Sequence, residues 1–210
     1  IRYINKDGSL DIKSKDYASH QKHERGNELI LEYMERDFPV PTNDEDYVYV
    51  SHLLQAYGMS KGFQSHRRAR PYNMGTLYWQ LNDCWPAVSW SSIDHFGNWK
   101  ALHYQVKRDF ENVLISNYVK KGVLYSCIVN DHLYDITGGY TMVIKDFDGK
   151  ELYKKSFIGT ARTNSSNQFH EVKLKTLGID LRKVYVSTKF DSSKVIDILT
   201  SPKVLDLPNE

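Results

Sequence analysis

The spacing of apolar residues changes once along the chain, near Lys107. Upstream of it helical spacing dominates. Between Asp16 and Phe38 the apolar residues Leu29, Ile30, Tyr33 and Met34 recur at three- and four-residue intervals, which predicts a helix stopped by Asp37 to Pro39. A second helix is predicted from the cap region Thr42-Asn43-Asp44, because Val50, Leu53, Leu54 and Tyr57 follow the spacing of one buried face. It is expected to reach about Arg70, with a break at Gly58 or Gly62, and to end at Pro71. Gly75 to Leu81 is short, apolar and flanked by turn formers, as a buried strand would be. A loop from Asn82 to Asn98 and a helix from Trp99 to Phe110 complete this half.

Downstream of Phe110 the period becomes two. Val123, Tyr125, Cys127 and Val129 alternate with Leu124, Ser126 and Ile128. The segments Tyr140 to Lys145 and Glu151 to Phe157 flank Asp146-Phe147-Asp148-Gly149, a hairpin signal because glycine tolerates the positive φ of tight turns. Val172 to Leu174, Val184 to Phe190 and Val195 to Leu199 predict further strands. About seven strands in about 100 residues is the size of an immunoglobulin-like sandwich. The helix, helix, strand, loop, helix order ahead of it suits the tail of an α/β barrel, whose complete form needs about 250 residues. The predicted fold class is therefore α/β plus all-β. The C-terminal part of a (β/α)8 TIM barrel is expected over 1–109 and an immunoglobulin-like β-sandwich over 110–210.

Composition narrows the function classes. With 40% apolar and 26% charged residues the chain is expected to fold as a globular protein. No apolar run approaches the roughly 18 residues of a membrane span, so no membrane partner is expected. Net charge is +2 with acids and bases interspersed. The densest basic cluster, His66 to Arg70, lacks the stripe and framework of a nucleic-acid surface, so no nucleic-acid partner is expected either. Two cysteines, Cys84 and Cys127, make neither a disulfide framework nor a zinc site. His20 and His23 lie three apart beside Glu24 and do not match zinc-enzyme spacings, so no metal and no cofactor is expected. Asn164-Ser165-Ser166 fits a glycosylation sequon, a triplet common by chance. The chain opens on Ile1, with no signal peptide, which suggests processing or a truncated chain; a periplasmic or secreted location is an expectation only.

Candidate chemistry concentrates between positions 79 and 99, where all four tryptophans, Trp79, Trp85, Trp90 and Trp99, are interleaved with Asn82, Asp83, Ser89, Ser91, Ser92 and Asp94. Sugars present an apolar C–H face and a rim of hydroxyls, so their sites combine flat aromatic platforms with amide, hydroxyl and carboxylate groups. Core packing accounts for the same tryptophans equally well. At a barrel strand end, followed by a long loop, Trp79 would stand on the face where barrel enzymes carry their sites.

Here the sequence becomes specific. The string from Pro71 to Pro86, with Trp79-Gln80-Leu81-Asn82-Asp83-Cys84-Trp85-Pro86 at its end, resembles the last barrel strand of beta-mannosidases in glycoside hydrolase family 2. Ser89-Trp90-Ser91-Ser92-Ile93-Asp94 and its continuation to Tyr104 resemble the same family. The resemblance covers about Asp16 to Phe110; beyond it, the sandwich character and the Asp146 to Lys150 turn are similar to the family's immunoglobulin-like domains. It implies a retaining exo-hydrolase of terminal non-reducing beta-D-mannose residues, acting on beta-mannoside oligosaccharides, in which one carboxylate protonates the leaving oxygen and another attacks the anomeric carbon. It also implies Trp79 as part of the wall for the terminal sugar, with Asn82, Asp83 and Trp85 as further substrate-binding candidates. Trp90 and Trp99 are expected to pack the loop and the following helix.

The strings that carry the family's acid/base and nucleophile are not found in this sequence, so no catalytic residue is assigned here and the chain is expected to be inactive alone. Glu24, Glu28, Glu32 and Glu35 recur at helical spacing, as on a solvated face. Asp83 and Asp94 are better placed, yet a loop-anchoring role suits Asp83 as well as a sugar contact. Three alternatives remain: an exo-beta-glucosaminidase or other family 2 fragment, a carbohydrate-binding module without catalysis, or a structural accessory region. Exo-beta-glucosaminidases of the family read N-N-A-W-P where this chain has Asn82 to Pro86, which favours mannose. An isolated barrel strand would also expose apolar side chains and unpaired backbone, so self-association of the chain is expected.

Overall fold

The computed structural model describes residues 4–208. Glu210, counted among the glutamates of the sequence, lies outside the described residues. The chain divides into two compact units: residues 1–62 with 77–109, and residues 63–76 with 110–210. The whole is mostly antiparallel sheet with a few helices.

The first unit is helical. Its elements are α1 (Lys15–Ser19), α2 (Gly26–Asp37), the greater part of α3 (Asp44–Arg68) and α4 (Ala101–Asp109). Instead of one helix from Asp16 to Phe38 there are two, because long-range pairing wins over local propensity at the break. Val88 N donates to His20 O at 2.9 Å and Lys22 N donates to Val88 O at 2.8 Å, making a bridge that a helix could not offer. α1 is capped by Ser14, whose hydroxyl accepts from Tyr17 N. Asn43 does the same for α3, accepting from Asp46 N at 2.8 Å. α3 runs through Gly58 and Gly62 without a break. Fully buried Met34 of α2 and Leu102 of α4 mark the packed faces, and Gln105 Nε2 of α4 donates to Ser60 Oγ of α3 at 3.1 Å.

Among the described residues this unit contains no β-strand, only isolated bridges. Gly75 to Leu81, expected as a buried strand, forms no strand, and Leu77 is 98% exposed; backbone links are found at its end, where Ser92 N donates to Gln80 O at 3.0 Å and Ile93 N to Leu81 O at 2.8 Å. A strand needs such pairing along its whole length.

The second unit is a sandwich of seven antiparallel strands: β1 (Val113–Lys120), β2 (Val123–Asn130), β3 (Ile136–Asp146), β4 (Glu151–Ala161), β5 (Ser165–Lys173), β6 (Val184–Phe190) and β7 (Ser193–Ile198). One sheet has the order β1-β2-β5, the other β4-β3-β6-β7. The β1–β2 turn places Lys121 and Gly122 at positive φ, the geometry a two-residue hairpin prefers. Alternation decides the core: Tyr140, Met142 and Ile144 of β3 and Val184, Val186 and Phe190 of β6 face Ile115, Leu124 and Ile128 of the other sheet. Buried Asn117 is partnered there, its Nδ2 donating to Thr188 Oγ1 at 3.1 Å and to Asp197 Oδ2 at 2.8 Å. Cys127 of β2 is also buried, on the face opposite Leu124 and Ile128, and burial pushes its thiol pKa up. The last turns of α3 belong to this unit, where Arg67 and Arg70 both reach Asp131 at 2.9 and 2.8 Å.

Aromatic packing is tightest around Gly159. A Cβ there would stand 2.6 Å from Phe169 Cε1 and 3.2 Å from Phe157 Cε2, with Tyr140 and Phe190 behind those rings. Gly159→Ala should therefore cost about 1–3 kcal/mol through overpacking and lower the thermal midpoint in a calorimetric scan. An unchanged midpoint would show that the two rings can move apart freely.

Candidate functional site

Every residue singled out for sugar contact belongs to the first unit. After the 75–81 segment the chain turns at Leu81 to Asp83 and is held by short backbone links. Ile93 N donates to Leu81 O at 2.8 Å, Asp83 N to Ile93 O at 3.3 Å and Lys100 N to Ser92 O at 2.9 Å. Ile93 is thus stitched between Asn82 and Trp99, and the loop from 82 to 98 is a folded object. Asp94 closes its tip, accepting from Phe96 N and Asn98 N at 2.9 and 2.8 Å; those hydrogen bonds outweigh its partial burial and hold its carboxyl below the usual range.

Trp79 is 74% exposed, on the 75–81 segment, and its peptide bond to Gln80 is cis. Trp85 is exposed, at 39%, its ring set obliquely against His20 at 4.7 Å, and His20 Nδ1 lies 2.6 Å from Pro86 O. Asn82 is exposed, its amide directed to Asp83 O at 3.4 Å. Trp90 packs into the loop: its Nε1 donates to Gln80 Oε1 at 2.9 Å and its carbonyl accepts from Gln55 Nε2 of α3 at 2.7 Å. Trp99 lies edge-on to His103 and Tyr104 of α4.

Asp83 stands apart from these. Its side chain is 4% exposed and faces a ring of donors within its own loop. Ser89 Oγ lies 2.8 Å from both carboxylate oxygens, Ser91 Oγ donates to Oδ2, and Lys100 Nζ completes an ion pair at 3.3 Å. Lys100 Nζ also donates to Ser91 Oγ at 2.7 Å. Burial lowers the Lys100 pKa and the adjacent Asp83 charge opposes that shift. A buried carboxylate whose oxygens are occupied in this way is not free to attack a substrate. Asp83 therefore anchors the loop.

Among the described residues every glutamate, from Glu24 to Glu171, is exposed, and Glu28 is taken up by Arg25. No group of three or more potential metal ligands is found among the described residues. The arrangement offers two exposed indoles and an amide on one stiffened loop, which suits apolar and hydrogen-bonding contact with a ligand. Sequence reasoning missed Lys100, Gln80 and Gln55 as supports of this loop. For Gln55, 35 residues from Trp90, separation along the chain leaves no local signal.

Comparison with known proteins now bears on the chain. Residues 124–200 match the family described as "Mannosidase Ig/CBM-like domain". The beta-mannosidase of Capra hircus is 35% identical over 129 residues, covering 55% of this chain and 15% of that protein. The beta-mannosidase of Mus musculus is 34% identical, covering 53% and 14%. Among solved structures, the beta-D-mannosidase from Dictyoglomus thermophilum superposes with a TM-score of 0.88 at 29% identity, over 94% of this chain and 25% of that one. The exo-chitosanase of Amycolatopsis orientalis shares the fold at a TM-score of 0.67 and 20% identity, over 83% and 22%. The chain thus spans about a seventh of the curated relatives it matches. Over the matched stretches the chain is similar to beta-mannosidases, and residues 124–200, within its second unit, resemble the immunoglobulin-like domain of mannosidases.

His52 of α3 gives the first unit a pH dependence. Burial, reinforced by the Lys100 charge, lowers its pKa from 6.5 to about 4. The unfolded chain then binds the proton more readily than the folded one between those values, so stability falls as pH drops from about 6.5 towards 4. Urea titrations across that range should show the decline, and His52→Gln should flatten it. An equal slope in the variant would assign the effect to other groups.

Proposed function

We propose that this chain is part of a retaining exo-acting beta-mannosidase that removes terminal non-reducing beta-D-mannose from oligosaccharides. Residues 1–109 supply the closing portion of its (β/α)8 barrel and residues 110–210 the sandwich that follows. Trp79 is the platform for the terminal sugar. Asn82 and Trp85 flank it, and Asp83 serves from beneath by fixing the loop. The acid/base and nucleophile carboxylates belong to polypeptide outside this chain, so the chain alone does not hydrolyse glycosides.

One observation carries the reading. Trp79 is an indole held out at 74% exposure on a segment that forms no strand, beside a loop whose own carboxylates are engaged within it. An aromatic surface presented like this suits one wall of a sugar site and lacks the reacting groups. Adjacent barrel strands would satisfy the segment's backbone and cover Leu77.

The test compares this chain with a longer gene product on a panel of aryl glycosides. Hydrolysis of the beta-mannoside by the longer protein only is expected, and Trp79→Ala in that protein should lower kcat/KM by about 10²-fold or more. Mannoside hydrolysis by the short chain, or preference of the longer protein for a glucosaminide, would refute the assignment. Mannose binding by a longer protein that turns over no glycoside would favour a binding module instead.

The exposed segment has a second consequence. With Leu77, Trp79 and Leu81 uncovered, the isolated chain should self-associate through this edge. Sedimentation velocity should show concentration-dependent oligomers that Leu77→Lys disperses. A monodisperse monomer at high concentration would contradict it.

A further inference from the structure

We infer that Lys100 is a positioning residue: its buried ammonium group ties Asp83, at the start of the 82–98 loop, to Ser91 near the middle, and so fixes how Asn82 and Trp85 are presented. The inference rests on the function proposed above, because it gives the segment its meaning as a binding wall. It extends that proposal to a residue remote in sequence that has no place in the sugar-facing set.

The geometry is specific. Lys100 precedes α4 directly, and its backbone N–H is already fixed to Ser92 O at 2.9 Å. From that fixed base its side chain, 11% exposed, reaches Ser91 Oγ at 2.7 Å and Asp83 Oδ2 at 3.3 Å. Ser89 Oγ closes the ring at 3.1 Å from Ser91 Oγ and 2.8 Å from the Asp83 carboxylate. Two loop strands and the base of a helix thus meet at one charge pair. The flanking residues inherit the constraint: Asn82 and Cys84 adjoin Asp83, and Trp90 adjoins both serines. A carboxylate removed from water has to keep its partners, so the loop cannot open without separating charges in a poorly solvating environment. That makes the wall stiff before any ligand arrives, and pre-organisation lowers the entropic cost of binding.

The variants are Lys100→Met, which strands a buried carboxylate, and the charge-neutral pair Lys100→Met with Asp83→Asn, which keeps the fold accessible if the single change does not. Hydrogen exchange of the whole chain is read by peptide. In the paired variant, peptides covering 81–93 should exchange roughly tenfold faster while those covering β2 and β6 are unchanged. In the longer protein, KM for an aryl beta-mannoside should rise about tenfold with kcat altered less than about twofold, the pattern of weakened binding rather than lost chemistry. Unchanged exchange over 81–93 overturns the inference. So does acceleration spread evenly over the chain, which would make the ion pair a general support of the fold. A matching fall in kcat with KM constant overturns it too. If exchange responds locally but the wild-type longer protein hydrolyses no mannoside, the function proposed above fails, and Lys100 still positions the segment.

Discussion

A carboxylate taken out of water sets conditions on everything near it. Asp83 is buried in a loop that otherwise has no regular secondary structure, and its charge is met by a lysine and two hydroxyls of the same loop. Removing one partner of a buried pair costs about 3–5 kcal/mol, because the other is left uncompensated. Order in the aromatic segment therefore comes from this pair together with a few backbone links, without a sheet beneath it. The same geometry separates two roles that look alike in the sequence. Asp83 turns inward and holds; Trp79, four residues earlier, turns outward and is available.

The sandwich was the more legible half. Period-two alternation in Val123 to Val129 and Val184 to Phe190, with glycine between Asp148 and Lys150, sufficed to place strands, because burial of one sheet face writes itself directly into the pattern. β1 was harder to place. Val113, Leu114 and Ile115 are consecutive apolar residues, and a run of that kind lacks a readable period. The caps at Ser14 and Asn43 are likewise local chemistry, and only the latter region stood out before a helix with a clear apolar face.

What the sequence could not convey were pairings between distant positions. The helix expected from Asp16 to Phe38 is split because His20 and Lys22 bond to Val88, more than sixty residues on. Gly75 to Leu81 has the composition of a strand but backbone partners only at Gln80 and Leu81 are seen, too few for propensity to act on. The tryptophan-rich strings drew the candidate residues to one region, since they are long and unusual. They did not reveal that the loop's carboxylate is internally satisfied, because Lys100, although within them, looks like any surface lysine.

Both cysteines are free, and the two thiols differ sharply in reactivity. Cys127 sits on a buried strand face with its pKa raised by burial, which keeps it protonated and a poor nucleophile. Cys84 is exposed beside Trp85. The fold therefore owes nothing to a covalent staple and should be equally at home in reducing and oxidising surroundings. A single alkylating dye would modify one position, giving an optical reporter on the loop that holds the aromatic platform.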